Sequence, residues 1–148
     1  MELEFKPVVA GDIDRLRPFY GMRPNKTCDS VFLDSFLWKD YYHVQCAVSE
    51  GRAVLWLMEK DGQVSTAMPL CREEDLPYFF QQMVDYFSGV LHKPFYISLA
   101  DEEAVQYLNL DPALFEVEEQ VDLKDYLYSG EELRKLEGKK FVKKRNHL

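Results

Sequence analysis

Apolar side chains recur at the helical period in several parts of the chain. The pattern predicts helices over residues 13–20 and 76–91, and a further helix that starts near residue 31 and ends in an aromatic cluster. The helix at 76–91 follows three acidic residues, which suit the positive end of a helix dipole. We expect the middle helix to contribute much of the core, with Trp38, Tyr41 and Tyr42 mostly buried against a sheet.

The period changes to strand-like after His43. Three β-rich runs follow at 43–49, 52–60 and 63–70, separated by Glu50-Gly51 and by Asp61-Gly62. Asp-Gly between two such runs is a strong hairpin signal, so the pattern predicts an antiparallel meander. The other predicted elements are strands at 3–9, at 95–99 and in two runs within 115–128, and short helices at 101–108 and 131–136. Helices that alternate with a mixed sheet predict an α/β or α+β fold.

Composition indicates one soluble domain. The chain has 148 residues, of which 47% are hydrophobic and 30% charged, and such a composition is typical of a single globular core. No run approaches the roughly 18 apolar residues of a membrane span, and the N-terminus lacks a signal-peptide pattern, so we expect a cytoplasmic protein. Cys28, Cys46 and Cys71 are widely spaced. We interpret them as buried thiols, with no metal site.

Charge is distributed unevenly. The net charge is -8, yet the last ten residues contain five bases and no acid, so residues 1–138 hold the other 13 Lys and Arg against all 26 Asp and Glu. An acidic body is a poor DNA ligand. The basic segment is either an anion contact, for a lipid surface or tRNA, or the charged face of an inter-domain helix, which we favour. Its basic residues are Lys139, Lys140, Lys143, Lys144 and Arg145.

The order of the predicted elements resembles the acyl-CoA N-acyltransferase (GNAT) fold. Several motifs are similar to a bacterial family of uncharacterised proteins that is related to the C-terminal domain of phosphatidylglycerol lysyltransferases. They are Asp29-Ser30, Phe32, Phe36-Leu37-Trp38 and Tyr41; Met68-Pro69-Leu70; Asp122 and Asp125-Tyr126-Leu127-Tyr128; and Gly138-Lys139-Lys140-Phe141 with Lys143-Lys144-Arg145-Asn146-His147. The resemblance covers almost the entire chain, and the last block is its most specific part.

The resemblance implies two GNAT-like halves in tandem. Residues 1–138 then form one GNAT-like domain, and residues 139–148 are an inter-domain linker or the start of a helix that leads to a second half. We expect this chain to be the N-terminal half, either cut from a longer protein or naturally truncated. Its expected partner is the second half or another copy of the chain, and aminoacyl-tRNA or anionic lipid is a possible partner of the full protein.

A catalytic GNAT domain binds the pyrophosphate of acyl-CoA where a glycine-containing loop enters the long helix. Residues 70–76 contain no glycine, and Glu73, Glu74 and Asp75 already place carboxylates at that position. A pyrophosphate would meet like charges there. We therefore expect no CoA site in this half and no other cofactor.

Two small sets of residues are candidates for ligand binding. Trp38 and Tyr41 either floor an apolar pocket or belong to the core, which is the interpretation we prefer. Asp122 and Asp125, with Tyr126 beside them, suit acid-base chemistry or structural hydrogen bonds, and the structural role is again preferred. The sequence assigns no catalytic residue.

Two functional hypotheses follow from these features. In the first, the chain is the N-terminal half of an acyl- or aminoacyl-transferase, and it supports substrate binding while catalysis takes place outside this half. In the second, it is a non-catalytic binding or scaffold domain that recognises a protein partner or an anionic ligand. The two differ in where a ligand lies, which is between halves in the first and on this domain alone in the second. Whether the chain is an enzyme stays open.

Overall fold

The computed structural model describes residues 3–23, 31–98, 100–123, 129–139 and 142–145. The chain divides into two compact units, 1–117 and 118–148. Each unit is described by itself below.

The first unit contains a four-stranded antiparallel sheet with the strands in chain order. The strands are β1 (Lys6–Pro7), β2 (Gln45–Ser49), β3 (Ala53–Lys60) and β4 (Gln63–Ser65). Both hairpin turns have positive φ at their two central residues, 52° and 66° at Glu50-Gly51 and 52° and 81° at Asp61-Gly62. Such turns match the right-handed twist of paired strands. The predicted meander is confirmed, with strands shorter than the sequence pattern suggested.

Four helices of the first unit have described boundaries. They are α1 (Ile13–Tyr20), α2 (Phe32–Leu37), α3 (Leu76–Tyr86) and α4 (Glu102–Leu108). The bounds of α1 agree with the prediction, whereas α3 ends earlier and continues as a π-helical turn over Phe87–Leu91. Val31 is the N-cap of α2, and the predicted capping residues Asp29 and Ser30 lie outside the described residues.

The core lies on both faces of β3, because successive side chains of a strand point to opposite faces. On one face Leu55 packs in a cluster with Phe79 and Phe87. On the other face Trp56 belongs to a cluster with Leu16 of α1. The sheet is therefore sandwiched between α1 on one side and α3 on the other. This arrangement is an α+β fold and is compatible with the GNAT-like fold expected from the sequence.

The prediction that Trp38, Tyr41 and Tyr42 are buried is wrong. Their exposed fractions are 48%, 52% and 36%. No described residue of α2 is buried, so this helix does not supply the core that its pattern predicted. The three aromatic residues lie in the turn after a helix of only six residues, where their rings pack against one another at the surface.

Three predicted strands are also absent or shorter among the described residues. Residues 3–9 form only the two-residue β1, and the predicted strand 95–99 is reduced to a single parallel bridge between Thr66 and Ile97. Residues 115–120 form no strand, and Val121–Leu123 is a 3-10 turn. Alternating apolar residues favour a strand, but a strand also needs a hydrogen-bonded neighbour, which the pattern does not supply.

The second unit contains α5 (Gly130–Lys135) and α6 (Val142–Arg145). The Ser129 side chain accepts a hydrogen bond from the backbone N–H of Glu132 at 3.0 Å. This bond is the N-cap predicted from the Ser-x-x-Glu spacing.

Candidate functional site

A cleft of about 160 Å³ lies among the segment after α1, the start of α3 and the helix α4. Thr66 and Ile97 pair in parallel, and the chain then runs into the start of α3 on one side and of α4 on the other. The volume equals that of about five water molecules at ~30 Å³ each, which suits a small functional group. The lining residues are Met22, Arg23, Glu73, Leu76, Glu103, Ala104 and Tyr107.

Arg23 forms a bidentate ion pair with Asp101 at the edge of this cleft. The guanidinium donates three hydrogen bonds of 3.1, 3.2 and 3.3 Å to the two carboxylate oxygens. The side chains are only 12% and 11% exposed. Asp101 also caps α4 by accepting a 2.8 Å bond from the N–H of Ala104. The positive charge of Arg23 is therefore already matched by a carboxylate of the protein.

Two other carboxylates of the cleft have no such partner. Glu73 precedes α3 and Glu103 lies in the first turn of α4, and neither forms an ion pair with another described residue. Because Asp101 neutralises Arg23, these two carboxylates give the cleft an excess of negative charge. The ring of Tyr107, which is 45% exposed, also lines the cleft. Carboxylates next to an aromatic ring suit an ammonium or guanidinium group.

The start of α3 is fixed by a second charged network. Arg52 donates to Asp75 and, at 3.3 Å, to Glu50, and the hydroxyl of Tyr78 donates to Glu50 at 2.7 Å. The hydrogen bond to Asp75 raises the pKa of Arg52. These bonds connect the β2–β3 turn to the first turn of α3. A phosphate group approaching this helix start would meet carboxylates that are already hydrogen-bonded.

Trp38 and Tyr41 are brought together with Tyr42 in an exposed aromatic cluster. The ring centroids are 5.7 Å apart for Trp38 and Tyr41 and 4.7 Å apart for Tyr41 and Tyr42. The Nζ atom of Lys60 lies 4.0 Å from the Tyr41 ring centre and donates to its hydroxyl, which raises the pKa of the lysine. The sequence proposed a pocket floor or a core here, and the structure shows a surface.

The remaining predicted site residues belong to the second unit. Asp122 is exposed in its 3-10 turn, and Asp125, Tyr126 and Lys140 lie outside the described residues. Lys139 and Lys143 are exposed. Lys143, Lys144 and Arg145 belong to α6.

Burial disfavours the reactive thiolate form of the two described cysteines. Cys46 and Cys71 are both buried, as predicted, and Cys28 lies outside the described residues. Burial raises the pKa of Cys71 to about 11, so its thiolate is scarce near neutral pH. Among the described residues, no group of three His, Cys, Asp or Glu side chains is placed to hold a metal ion.

The cleft was not found from the sequence. Arg23 and Tyr107 belong to no motif, Glu103 belongs to an acidic run that is typical of a solvated face or a helix cap, and Glu73 indicates only that a phosphate is disfavoured before α3. Arg23 and Asp101 are 78 positions apart. Their pairing depends on the folding of α1 and α4 around the sheet, which no local pattern indicates.

The fold and the cleft define an α+β domain of GNAT-like type whose helix starts are occupied by its own carboxylates. A family model, phosphatidylglycerol lysyltransferase, C-terminal, matches residues 22–148. The chain therefore belongs to this family and is a lysyltransferase-related domain, which confirms the resemblance seen in its motifs. Comparison with curated proteins and with solved structures gives no match. No helix in the described ranges is both long and apolar enough to cross a membrane.

Proposed function

We propose that this chain is a substrate-binding domain of an aminoacyl transferase of the lysyltransferase type, and that its cleft holds an ammonium group of the aminoacyl moiety. The observation that supports this proposal is that two carboxylates, Glu73 and Glu103, line one cleft. Arg23, which also lines the cleft, is already paired with Asp101. A lysyl group has ammonium groups to offer to such carboxylates. In this proposal the two carboxylates serve to bind the ammonium group, and the chemical step is assigned to another part of the enzyme.

The proposal does not require coenzyme A. Glu73, Glu74 and Asp75 occupy the turn before α3, and Asp75 is held there by Arg52. An aminoacyl ester can donate its acyl group without a CoA carrier. The domain in this proposal therefore binds the aminoacyl end of its donor and leaves acyl-CoA unbound.

The expected affinity is low. Two charge-assisted hydrogen bonds at about 2 kcal/mol each give ~4 kcal/mol, which corresponds to a millimolar dissociation constant. Such binding suits a subsite that recognises one group of a larger substrate.

The test is a titration of the full chain with L-lysinamide, followed by NMR chemical shifts. We expect a millimolar constant that weakens about five- to tenfold in Glu73→Gln and in Glu103→Gln, since each exchanges a charge-assisted bond for a neutral one that is about half as strong. Glu102→Gln is the matched control, because Glu102 neighbours Glu103 on α4 but bonds to Gln106 instead. Norleucinamide has the α-ammonium group of lysinamide but lacks its ε-ammonium group, so a parallel titration shows which of the two groups the cleft binds. No binding of lysinamide, or equal binding by all three variants, would refute the cleft proposal.

Acetyl-CoA provides an independent arm of the same experiment. We expect no shift of resonances around α3 on its addition, because the helix start is occupied by carboxylates. Saturable acetyl-CoA binding at that helix would contradict the CoA-independent role and restore an ordinary acyltransferase assignment.

A binding or scaffold role is the second candidate function, and the exposed aromatic cluster at Trp38 favours it.

The basic segment that includes Lys139, Lys143 and α6 is a proposed contact for anionic lipid or for aminoacyl-tRNA. Loss of vesicle or tRNA binding on neutralising Lys139 and Lys143 together would support that contact, and unchanged binding would oppose it.

A further inference from the structure

The outer face of α2 and the turn after it form an exposed apolar surface, here called the α2 surface. The exposed fractions of its six large side chains run from 36% to 67%. Leu33 and Leu37 are one helical turn apart and form a stripe, which meets the aromatic cluster where Leu37 precedes Trp38. The six residues are Val31, Leu33, Leu37, Trp38, Tyr41 and Tyr42.

The opposite face of α2 keeps this surface outward. Phe32 packs against the core cluster that includes Trp56, and its ring stacks with Phe36 at 6.2 Å. The hydroxyls of Ser35 and of Tyr20 in α1 are 3.2 Å apart, within hydrogen-bond distance. Turning Leu33 and Leu37 inward would break these contacts, so the apolar stripe is a fixed feature of the fold rather than a displaced piece of core.

The size of the α2 surface approaches that of a protein interface. At roughly 100 Å² for each half-exposed large side chain, the six residues present about 600 Å². A standard interface covers about 800 Å² on each partner, including its polar rim, and the largest apolar patch of a typical monomer is about 300–600 Å². The α2 surface is therefore large enough to form the centre of an interface.

Charge indicates what kind of partner fits. Residues 1–138 have 26 acids and 13 bases, so two copies that meet at an arbitrary place repel each other. Among the described residues around the α2 surface, cations and acids occur in pairs: Lys39 lies 2.7 Å from Asp40 and Lys60 lies 4.0 Å from Asp61. An anionic membrane finds no net positive charge there, whereas a rim of mixed sign complements itself across a two-fold axis.

We propose that the α2 surface is the interface of a homodimer of this chain. Leu33, Leu37 and Trp38 of one copy pack against the same residues of the other. The cations at the rim of each copy face the acids of its partner. The apolar area is at the small end for a stable complex, so the dissociation constant is expected in the micromolar range.

The test is sedimentation equilibrium of the full chain over about 1 to 200 µM, a range that brackets a micromolar constant. The variant is the double substitution Leu33→Gln with Leu37→Gln, whose exposed positions tolerate a helix-compatible polar residue. We expect wild type to dimerise and the variant to bind itself at least tenfold more weakly. Leu114→Gln is the matched control, because Leu114 is 75% exposed and precedes Phe115, which packs on the α3 side of the sheet. The control should dimerise like wild type.

Acrylamide quenching tests whether the α2 surface is covered, and by a second copy or by another segment of the same molecule. The chain has two tryptophans, and Trp56 is only 4% exposed, so the quenchable emission comes from Trp38. In a homodimer, dilution should increase quenching. A chain that stays monomeric throughout overturns the proposal, whether Trp38 is open to quencher or shielded by another segment of the same molecule. Equal self-association of wild type and the double variant overturns it as well.

Discussion

Replacing Arg23 by Met should destabilise the first unit strongly. The substitution keeps a side chain of similar length but removes the guanidinium that donates three hydrogen bonds to Asp101. The carboxylate of Asp101 then stays in a site where it is 11% exposed, without its cation. The loss of one partner leaves a poorly solvated charge, which costs more than the pair itself contributes.

The magnitude follows from the burial of the pair. Removing one partner of a buried ion pair costs about 3–5 kcal/mol. Asp101 keeps the bond from the N–H of Ala104 and a little solvent access, so the lower end, about 3 kcal/mol, is expected for Arg23→Met. For a chain of this length that corresponds to a fall in Tm of about 6–12 °C.

Tryptophan fluorescence during urea unfolding measures this change, because both tryptophans belong to the first unit. Arg17→Met is the matched control. Arg17 pairs with Asp14 at 3.6 Å on the surface of α1, with exposures of 69% and 86%, and its loss should cost less than about 0.5 kcal/mol.

Asp101→Asn completes the double-mutant cycle, because Asn retains the capping function and removes the charge. The double variant should lose less stability than the sum of the single variants, with a coupling of about 1–3 kcal/mol. A loss below about 1 kcal/mol for Arg23→Met, or additive single effects, would refute the view that this pair is a buried structural link.

The elements that the sequence predicted well are those whose signals are local. The bounds of α1, the two hairpin turns at Gly51 and Gly62 and the Ser129 cap each depend on a few neighbouring residues. A left-handed turn or a capping hydroxyl stabilises its element wherever that element packs, and such signals can be read without the fold.

The wrong or missing predictions concern features that tertiary packing determines. The period of α2 predicted a buried face, yet only Phe32 packs against a core cluster, and it is partly buried, while Leu33 and Leu37 remain exposed. Two apolar stripes on one short helix are equivalent in sequence, and only tertiary packing determines which of them contacts the core. The cleft was missed for the same reason, because Arg23 and Asp101 are brought together only in the folded chain.

Two further predictions concern side chains of different burial. Trp38→Ala, at a residue 48% exposed, should cost about 1–2 kcal/mol in urea melts of dilute protein, whereas Phe79→Ala, at a fully buried ring, should cost about 3–5. Equal costs would mean that the ring of Trp38 is buried. Cys71 has a pKa raised by burial from 9.0 to about 11. The folded chain thus holds this proton more tightly than the unfolded chain. The resulting stability is complete below pH 9 and is lost as the pH rises to about 11, by an amount on the order of 2 kcal/mol. Urea melts from pH 8 to 11 should show this decline in wild type and a flatter profile in Cys71→Ala, because alanine has no proton to release. Parallel profiles for the two proteins would show that this thiol is not the group responsible.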